Sequence, residues 1–320
     1  MNMRIGLYLC LAWLAGCSLI EPAPAPHPLD NTFWADNRPI SEAALIERMA
    51  GADVVILAEK HDNRAQHALQ KRLVEHLAQN HRIALGMEMF SRDQTSLLMR
   101  YLQPAKHGHP MTPGQLADAL NLDEDSARWH QYRPLLETLR NQKGAAFGID
   151  LPVPLRARLG ERGPDGLLPV ERAQLPQVED ADPAYRDLMY ARIKASHCGW
   201  GPESYLRKLF AVWQVRNQTM AEQISAMLES DYRPILVIVG NGHTDYNLGL
   251  ISRLKALRPE AHIFNVGLLE THPEGTRPED YLMDDRLPDT PRFDALYLAP
   301  AQRTTDDLCS VFKKRKTPES

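Results

Sequence analysis

Two short runs of sequence decide the fold: Asp53-Val54-Val55-Ile56-Leu57-Ala58 and Pro234-Ile235-Leu236-Val237-Ile238-Val239. Both runs are continuously apolar and rich in β-branched residues, which is typical of strands buried on both faces of a parallel sheet. Further strand-like runs cover 83–89, 145–150, 263–268 and 295–298. Between several of these runs, apolar residues recur at helical spacing, which predicts helices there. Strands alternating with helices predict an α/β fold with a mainly parallel β-sheet flanked by helices.

Two helix-rich blocks, about 92–142 and 182–230, are too long to be simple crossovers between strands. We expect them to be helical insertions that form a smaller helical subdomain beside the sheet. Residues 151–181 contain several prolines and glycines and are predicted to be a long connection. The α/β domain is predicted to span 31–310, and a basic tail covers 311–320.

The N-terminus has the pattern of a secreted lipoprotein. A short positive segment ending at Arg4 precedes an apolar run from Ile5 to Ala15, which is too short to span a bilayer. The following residues resemble a lipobox, so we expect a signal peptide over 1–16 and a lipid on Cys17. Ser18 indicates sorting to the outer membrane, facing the periplasm. Residues 17–30 are proline-rich, which favours a semi-rigid tether.

The composition excludes several classes of protein. The chain has 37 basic and 41 acidic residues, a net charge of −4, which argues against a nucleic-acid partner. Four cysteines are too few for a disulfide scaffold at 320 residues. Cys198 and Cys309 lie in the body of the chain, and the sequence leaves open whether they pair.

Polar side chains follow four predicted strands where each strand ends. They are Glu59 and His61 after the first, Glu88 at the second, Asp150 at the third, and Gly240, Gly242 and His243 after the fourth. Ligands of open α/β sheets bind at this edge. Carboxylate and imidazole groups together suit metal binding and acid–base catalysis. We therefore predict that Glu59, His61, Glu88 and His243 form one site, provided that their strands are neighbours.

An ordered series of short motifs resembles the ChaN-like family. Ala58-Glu59-Lys60-His61-Asp62-Asn63, with His67 and Gln70, resembles its Gly-Glu-x-His-Asp-Asn signature. The later matches are Gly86-Met87-Glu88-Met89-Phe90, Trp129 with Tyr132-Arg133-Pro134-Leu135, His197-Cys198-Gly199, Arg216 with Met220-Ala221, and Gly240-Asn241-Gly242-His243. The chain departs from the family at Ala58, where the family has Gly, and at Asn217, where it has Asp.

The resemblance implies a haem-binding lipoprotein of iron uptake, with a parallel sheet, a smaller helical domain and dimerisation linked to haem. Its expected partners are haem, the membrane through the N-terminal lipid, an outer-membrane haem receptor and a second copy of the chain. Tyr132 and Tyr246 are candidate haem ligands, since a phenolate suits ferric iron. Asp62, Asn63, Asp150, Gly240, Gly242 and His197 are expected to support the site.

Two other readings remain open. The resemblance extends to a superfamily that contains Tiki-type metalloproteases and erythromycin esterases, which implies a Glu/His-dependent or divalent-metal-dependent hydrolase. In that case His61 would be the general base that activates water, and the glutamates would orient it or hold the metal. The third reading is an adaptor without activity, in which the same cluster only stabilises the fold.

Overall fold

The structure is a computed structural model that describes residues 26–103, 110–178, 183–199, 201–283, 287 and 290–302. The described strands are β1 (Thr32–Ala35), β2 (Arg38–Ile40), β3 (Val54–Glu59), β4 (Ala84–Ser91), β5 (Ala145–Asp150), β6 (Ile235–Gly240), β7 (Ile263–Glu270) and β8 (Ala295–Ala299). They form one sheet in the order β2-β1-β8-β7-β3-β6-β4-β5. Pairings among β3 to β8 are parallel, whereas β1 is antiparallel to both of its neighbours. The predicted α/β fold is confirmed.

The helices are α1 (Glu42–Ala50), α2 (Arg64–Asn80), α3 (Thr95–Leu102), α4 (Pro113–Ala119), α5 (Ala127–Asn141), α6 (Val153–Arg162), α7 (Pro169–Arg172), α8 (Pro183–Ser196), α9 (Glu203–Met227), α10 (Leu250–Leu257) and α11 (Glu279–Leu282). Several begin at the side-chain caps that the sequence offers. The Ser41 hydroxyl accepts the Ala44 N–H at α1, and the Asn63 carbonyl oxygen accepts the Gln66 N–H at α2. Within the described residues, no helix is long and apolar enough to cross a membrane.

The central strand β3 is apolar from Val54 to Ala58 because helices cover both faces of the sheet. Val55 and Leu57 belong to a core that includes α1 to α5, whereas Val54, Ile56 and Ala58 pack in the core with α9 and α10. The block 92–142 therefore lies directly on one sheet face. In contrast, α8 and the first half of α9 build their own aromatic cluster around Tyr185, Phe210 and Trp213.

The region 151–181 differs from the predicted long connection, because it contains α6 and α7. Pro154 lies in the first turn of α6, where a missing N–H leaves no hydrogen bond unmade. Leu155 and Leu159 then pack against Val215 of α9. Pro152 and Pro154 thus mark the start of α6 and not a loop. The β1–β2 hairpin is a further element that the sequence pattern did not reveal.

A bulge at the end of β4 places Glu88. The β4–β5 pairing shifts register between Met87 and Ser91, so β4 bends at this point and its backbone passes close to Gly148. Gly148 of β5 allows the bend, since a Cβ atom there would lie 2.1 Å from the carbonyl oxygen of Ser91. A residue with any side chain would push the two strands apart.

We predict that Gly148→Ala destabilises the protein by about 3 kcal/mol, the upper end of what overpacking typically costs. The reason is that the obstructing atom is backbone and cannot rotate away. Urea unfolding of the two proteins measures the difference. Gly242→Ala is the matched control, because a Cβ atom at Gly242 meets no atom within 4 Å. Equal stabilities for Gly148→Ala and the parent protein would contradict this account of the bulge.

Candidate functional site

The ends of three adjacent strands bring the site together. In the sheet, β6 lies between β3 and β4, so Glu59 and Gly240 are paired residues and Glu88 follows directly on the other side. The condition on which the predicted site depended, that these strands are neighbours, is therefore met. His61 follows β3, and His243 lies in the short turn after β6.

Glu88 is the centre of the cluster. Its Oε2 accepts the backbone N–H of Gly240 at 2.7 Å, and its Oε1 accepts an N–H of Arg216 at 2.5 Å. Nε2 of His61 lies 3.6 Å from Oε2, and Nε2 of His243 lies 3.5 Å from Oε1. Burial alone would raise the pKa of Glu88, but His243, Arg216 and His61 together lower it well below its usual value. Glu88 is therefore a carboxylate.

Glu59 orients His61. Its Oε1 lies 2.8 Å from Nδ1 of His61 and accepts the Tyr132 hydroxyl at 2.5 Å, while its Oε2 accepts an N–H of Gln70 at 2.6 Å. The hydrogen bond to Glu59 raises the pKa of His61 above its ordinary 6.5 despite partial burial, and Glu88 adds to the increase. The His61 side chain is 46% exposed, whereas Glu59 is buried. His61 is thus the part of the cluster that a ligand can reach.

His243 is held in one orientation by α9. Its Nδ1 lies 2.7 Å from the side-chain oxygen of Asn217, which can only accept, so Nδ1 carries the proton. Trp213 stacks on the imidazole at 6.2 Å between ring centres, with an angle of 16° between the planes. Asn217 therefore positions His243 although it replaces the aspartate of the family pattern. Its neutral amide fixes the tautomer without adding a negative charge.

Arg216 reaches the cluster from α9 and is positioned by Asp150. Nε and an Nη of Arg216 donate to the two carboxylate oxygens of Asp150 at 2.9 and 3.0 Å, and Arg156 donates to the same carboxylate. The charges of Glu88 and Asp150 raise the pKa of Arg216 despite its desolvation, so it remains a cation. Arg216 and Gln70 belong to the sequence motifs, but the sequence did not indicate a role for either residue. Only the structure shows that Arg216 contacts Glu88 and that Gln70 contacts Glu59.

The two candidate tyrosine ligands are buried. The Tyr132 hydroxyl donates to Glu59, and burial together with that carboxylate raises the pKa of Tyr132, which disfavours the phenolate. The Tyr246 hydroxyl accepts an N–H of Arg192 at 2.8 Å. Tyr132 would have to break its hydrogen bond to Glu59 before it bound iron, and the buried Tyr246 would have to become accessible.

The supporting residues play different parts. Asn63 caps α2 and donates to Glu270, and Asp62 is exposed, 3.7 Å from Lys60. A Cβ atom at Gly240 would lie 3.1 Å from Nε2 of His61, so this glycine leaves room for the imidazole. His197 lies apart from the cluster, at the end of α8, where its Nδ1 donates to the carbonyl of Ile193. Cys198 is disulfide-bonded, while Cys17 and Cys309 lie outside the described residues.

The side chains that could act as ligands bear on two alternatives, a resident divalent metal ion and haem. Across the described ranges, no group of three or more His, Cys, Asp or Glu side chains is placed to hold a metal ion, so the divalent-metal alternative has no support. Each oxygen of Glu59 and Glu88 already accepts a hydrogen bond. The His61 side chain is 46% exposed, and its Nδ1 is hydrogen-bonded to a carboxylate, which is the usual support of a metal-bound histidine. This arrangement fits an axial ligand of haem iron.

The comparison with family models shows the family, and a solved structure supports the fold. The family model for haem-binding uptake, Tiki superfamily, ChaN matches residues 45–254. The structure is similar to ChaN of Campylobacter jejuni with cofacially bound haem, with a TM-score of 0.62 and 20% identity over 86% of this chain and 99% of that chain. At this identity the likeness shows the fold. A search of curated proteins finds no match.

A second solved structure, erythromycin esterase EreC in its open conformation, is also similar. Its TM-score is 0.44 and its identity 16%, over 89% of this chain and 87% of that chain.

We predict that Glu59→Gln lowers the pKa of His61 toward its ordinary value, because the variant loses the charged hydrogen-bond acceptor that raises it. Because the pKa of His61 is higher in the folded than in the unfolded protein, protonation of His61 stabilises the fold. This stabilisation is complete below pH 6.5 and is lost above the raised pKa of His61. The variant should therefore lose more stability at pH 6 than at pH 9. NMR titration of the histidines measures the shift. Glu75→Gln, which removes an exposed partner of Lys71, should leave the His61 titration unchanged.

Proposed function

Because the chain belongs to the ChaN family of haem-binding uptake proteins in the Tiki superfamily, we propose that it binds haem. The observation that carries the proposal is the extent of the family match, since residues 45–254 include Glu59, His61, Glu88 and His243. The matched range therefore contains the four side chains that the strand ends bring together.

His61 is the iron ligand that the site offers. His61 would hold the iron of a bound haem, because its side chain is 46% exposed and its imidazole is oriented by Glu59. The neighbouring Glu59 hydrogen bond increases the donor strength of the imidazole. Binding iron at Nε2 requires His61 to lose its second proton, so the raised pKa of His61 should weaken haem binding in acid.

A homodimer would complete a haem site of this kind. ChaN of Campylobacter jejuni binds haem cofacially. In this chain the His61 side chain is 46% exposed, so a haem held by it would be partly open to solvent. A second copy of the chain, bringing its own haem, would cover that face and remove it from water.

The cellular role follows from the N-terminal motif. Cys17 is the lipidated residue of the mature chain, and the lipid anchors the protein in the outer membrane, facing the periplasm. The protein then takes part in haem and iron uptake together with an outer-membrane haem receptor. The lipobox-like sequence and the proline-rich tether support this role.

Haem titration at micromolar protein should produce a shifted Soret band that is lost or weakened at least tenfold in His61→Ala. Affinity should also fall below the pKa of His61. His76→Ala, an exposed histidine on α2, is the matched control and should keep the parent spectrum. Tyr132→Phe and Tyr246→Phe should keep it as well. An unchanged spectrum in His61→Ala would reject the ligand, and no Soret shift in the parent protein would reject haem binding.

A Glu/His-dependent hydrolase is the second candidate function, favoured by one observation. The Glu59–His61 pair has the geometry of an oriented general base, with Nδ1 held by a buried carboxylate and a side chain that is 46% exposed. In such an enzyme His61 would take a proton from water that attacks an ester or amide carbonyl. Arg216 is already engaged by Glu88 and Asp150, so it would act by holding Glu88.

A panel of esters and peptides decides this second candidate. An enzyme should lose at least a hundredfold in turnover in His61→Ala, in the range of general-base contributions, and the parent rate should rise with pH as His61 deprotonates. His76→Ala serves again as the control. Equal, background-level turnover in the parent protein and in His61→Ala would exclude the hydrolase.

A further inference from the structure

A cavity of about 460 Å³ lies at the edge of the sheet opposite to the His61 site. It lies between the end of α3, the turn that joins α5 to β5, and the turn before β6. Because β4, β5 and β6 are parallel, their amino ends share this edge, whereas Glu88 and Gly240 lie toward their carboxyl ends. The six residues of β6 separate the two edges by about 17 Å. The cavity is therefore not part of the His61 site.

The lining of the cavity combines apolar and cationic side chains. Met99, Leu102 and Tyr232 provide the apolar part, and Arg140 and Lys143 provide positive charge. The other described lining residues are two side-chain amides and a glycine, so none is acidic. In the described part of the chain, neither Arg140 nor Lys143 forms a salt bridge. The cavity thus carries positive charge that no described carboxylate neutralises, beside an apolar surface.

Neighbouring side chains hold the aromatic wall and the arginine of the cavity in place. Cζ of Arg82 lies 4.3 Å from the centre of the Tyr232 ring, and an Nη of Arg82 donates to the Tyr232 hydroxyl at 3.3 Å. Cζ of Arg140 lies 4.6 Å from the centre of the Tyr101 ring, and one Nη donates to the carbonyl of Met111 at 3.0 Å. Because a guanidinium group has five N–H donors, Arg140 keeps others for a ligand.

The backbone at Lys143 has a conformation that lysine rarely adopts. Its φ is +57°, and the N–H of Gly144 donates to the carbonyl of Leu139 at 2.8 Å, which ends α5. Glycine or asparagine is the usual residue at this point of a helix end, since a Cβ atom is strained in the left-handed region. Lys143 therefore costs stability that a glycine would not cost. Such strain beside a cavity indicates that the side chain has a role there.

We propose that this cavity binds an amphiphilic carboxylate of the fatty-acid class. The hydrocarbon chain would pack against Met99, Leu102 and Tyr232, and the carboxylate would lie between Arg140 and Lys143. The volume and the few polar groups of the cavity are typical of small-ligand sites. The planar guanidinium of Arg140 matches the geometry of a carboxylate, and Lys143 adds a second charge. A neutral alcohol would leave both cations unpaired, and a short carboxylate would leave the apolar lining in water.

Isothermal titration calorimetry tests the class of ligand on the Cys17→Ser protein, which lacks the thiol expected to carry lipid and needs no detergent. The probes are octanoate, octanol and acetate, so that the hydrocarbon chain and the charge are varied separately. We expect octanoate to bind at least tenfold more tightly than either of the other two. Equal affinities for octanoate and octanol, or no binding of octanoate, would overturn the proposal.

Variants of Lys143 separate a role in ligand binding from a role in ending α5. Lys143→Gly removes the strain and the charge together, so it should raise Tm by about 1–3 °C and weaken octanoate binding at least fivefold. Lys143→Gln loses the charge but keeps a side chain, and it should weaken binding as much, whereas Lys143→Arg should bind octanoate within twofold of the parent protein. The matched control is Lys255→Gln, at an exposed lysine of α10, which should also stay within twofold. Unchanged affinity in Lys143→Gly and Lys143→Gln, or an equal loss in Lys255→Gln, would reject the site.

Discussion

The buried carboxylate of Glu88 is the interaction on which the site depends. It is anchored to the sheet by the N–H of Gly240 and to α9 by Arg216, and it lies between His61 and His243. A buried carboxylate is tolerated only when it is paired and hydrogen-bonded. The same contacts that stabilise its charge therefore join two strands and a helix, so fold stability and site geometry have one cause.

The charges around Glu88 explain why one histidine is accessible. Arg216 is held between two carboxylates, Glu88 and Asp150, and His243 is held between Asn217 and Glu88 beneath Trp213. These groups contact one another inside the protein and are therefore not exposed to a ligand. His61 contacts the Glu88 carboxylate from the exposed side of the cluster, and Glu59 fixes the orientation of the His61 imidazole. The interior of the cluster thus serves to present one imidazole to the surface.

One imidazole can serve two chemistries, and both require it to be deprotonated. As a ligand of haem iron, His61 must give up the proton that Glu59 and Glu88 help it to keep. As a general base it must do the same before it can accept a proton from water. Both functions therefore share a requirement for pH above the His61 pKa, and they differ in whether the group facing Nε2 is a metal or a water molecule.

The sequence determined the strands, most helices and the residues at the strand ends, because apolar periodicity and capping are local properties of the chain. It did not determine the β1–β2 hairpin, the helix after Pro152 or the burial of Tyr132. Tertiary structure alone decided that β6 lies between β3 and β4, and that Arg216 reaches Glu88 across 128 positions of sequence. Such contacts depend on strand order and helix packing, for which no local pattern carries a signal.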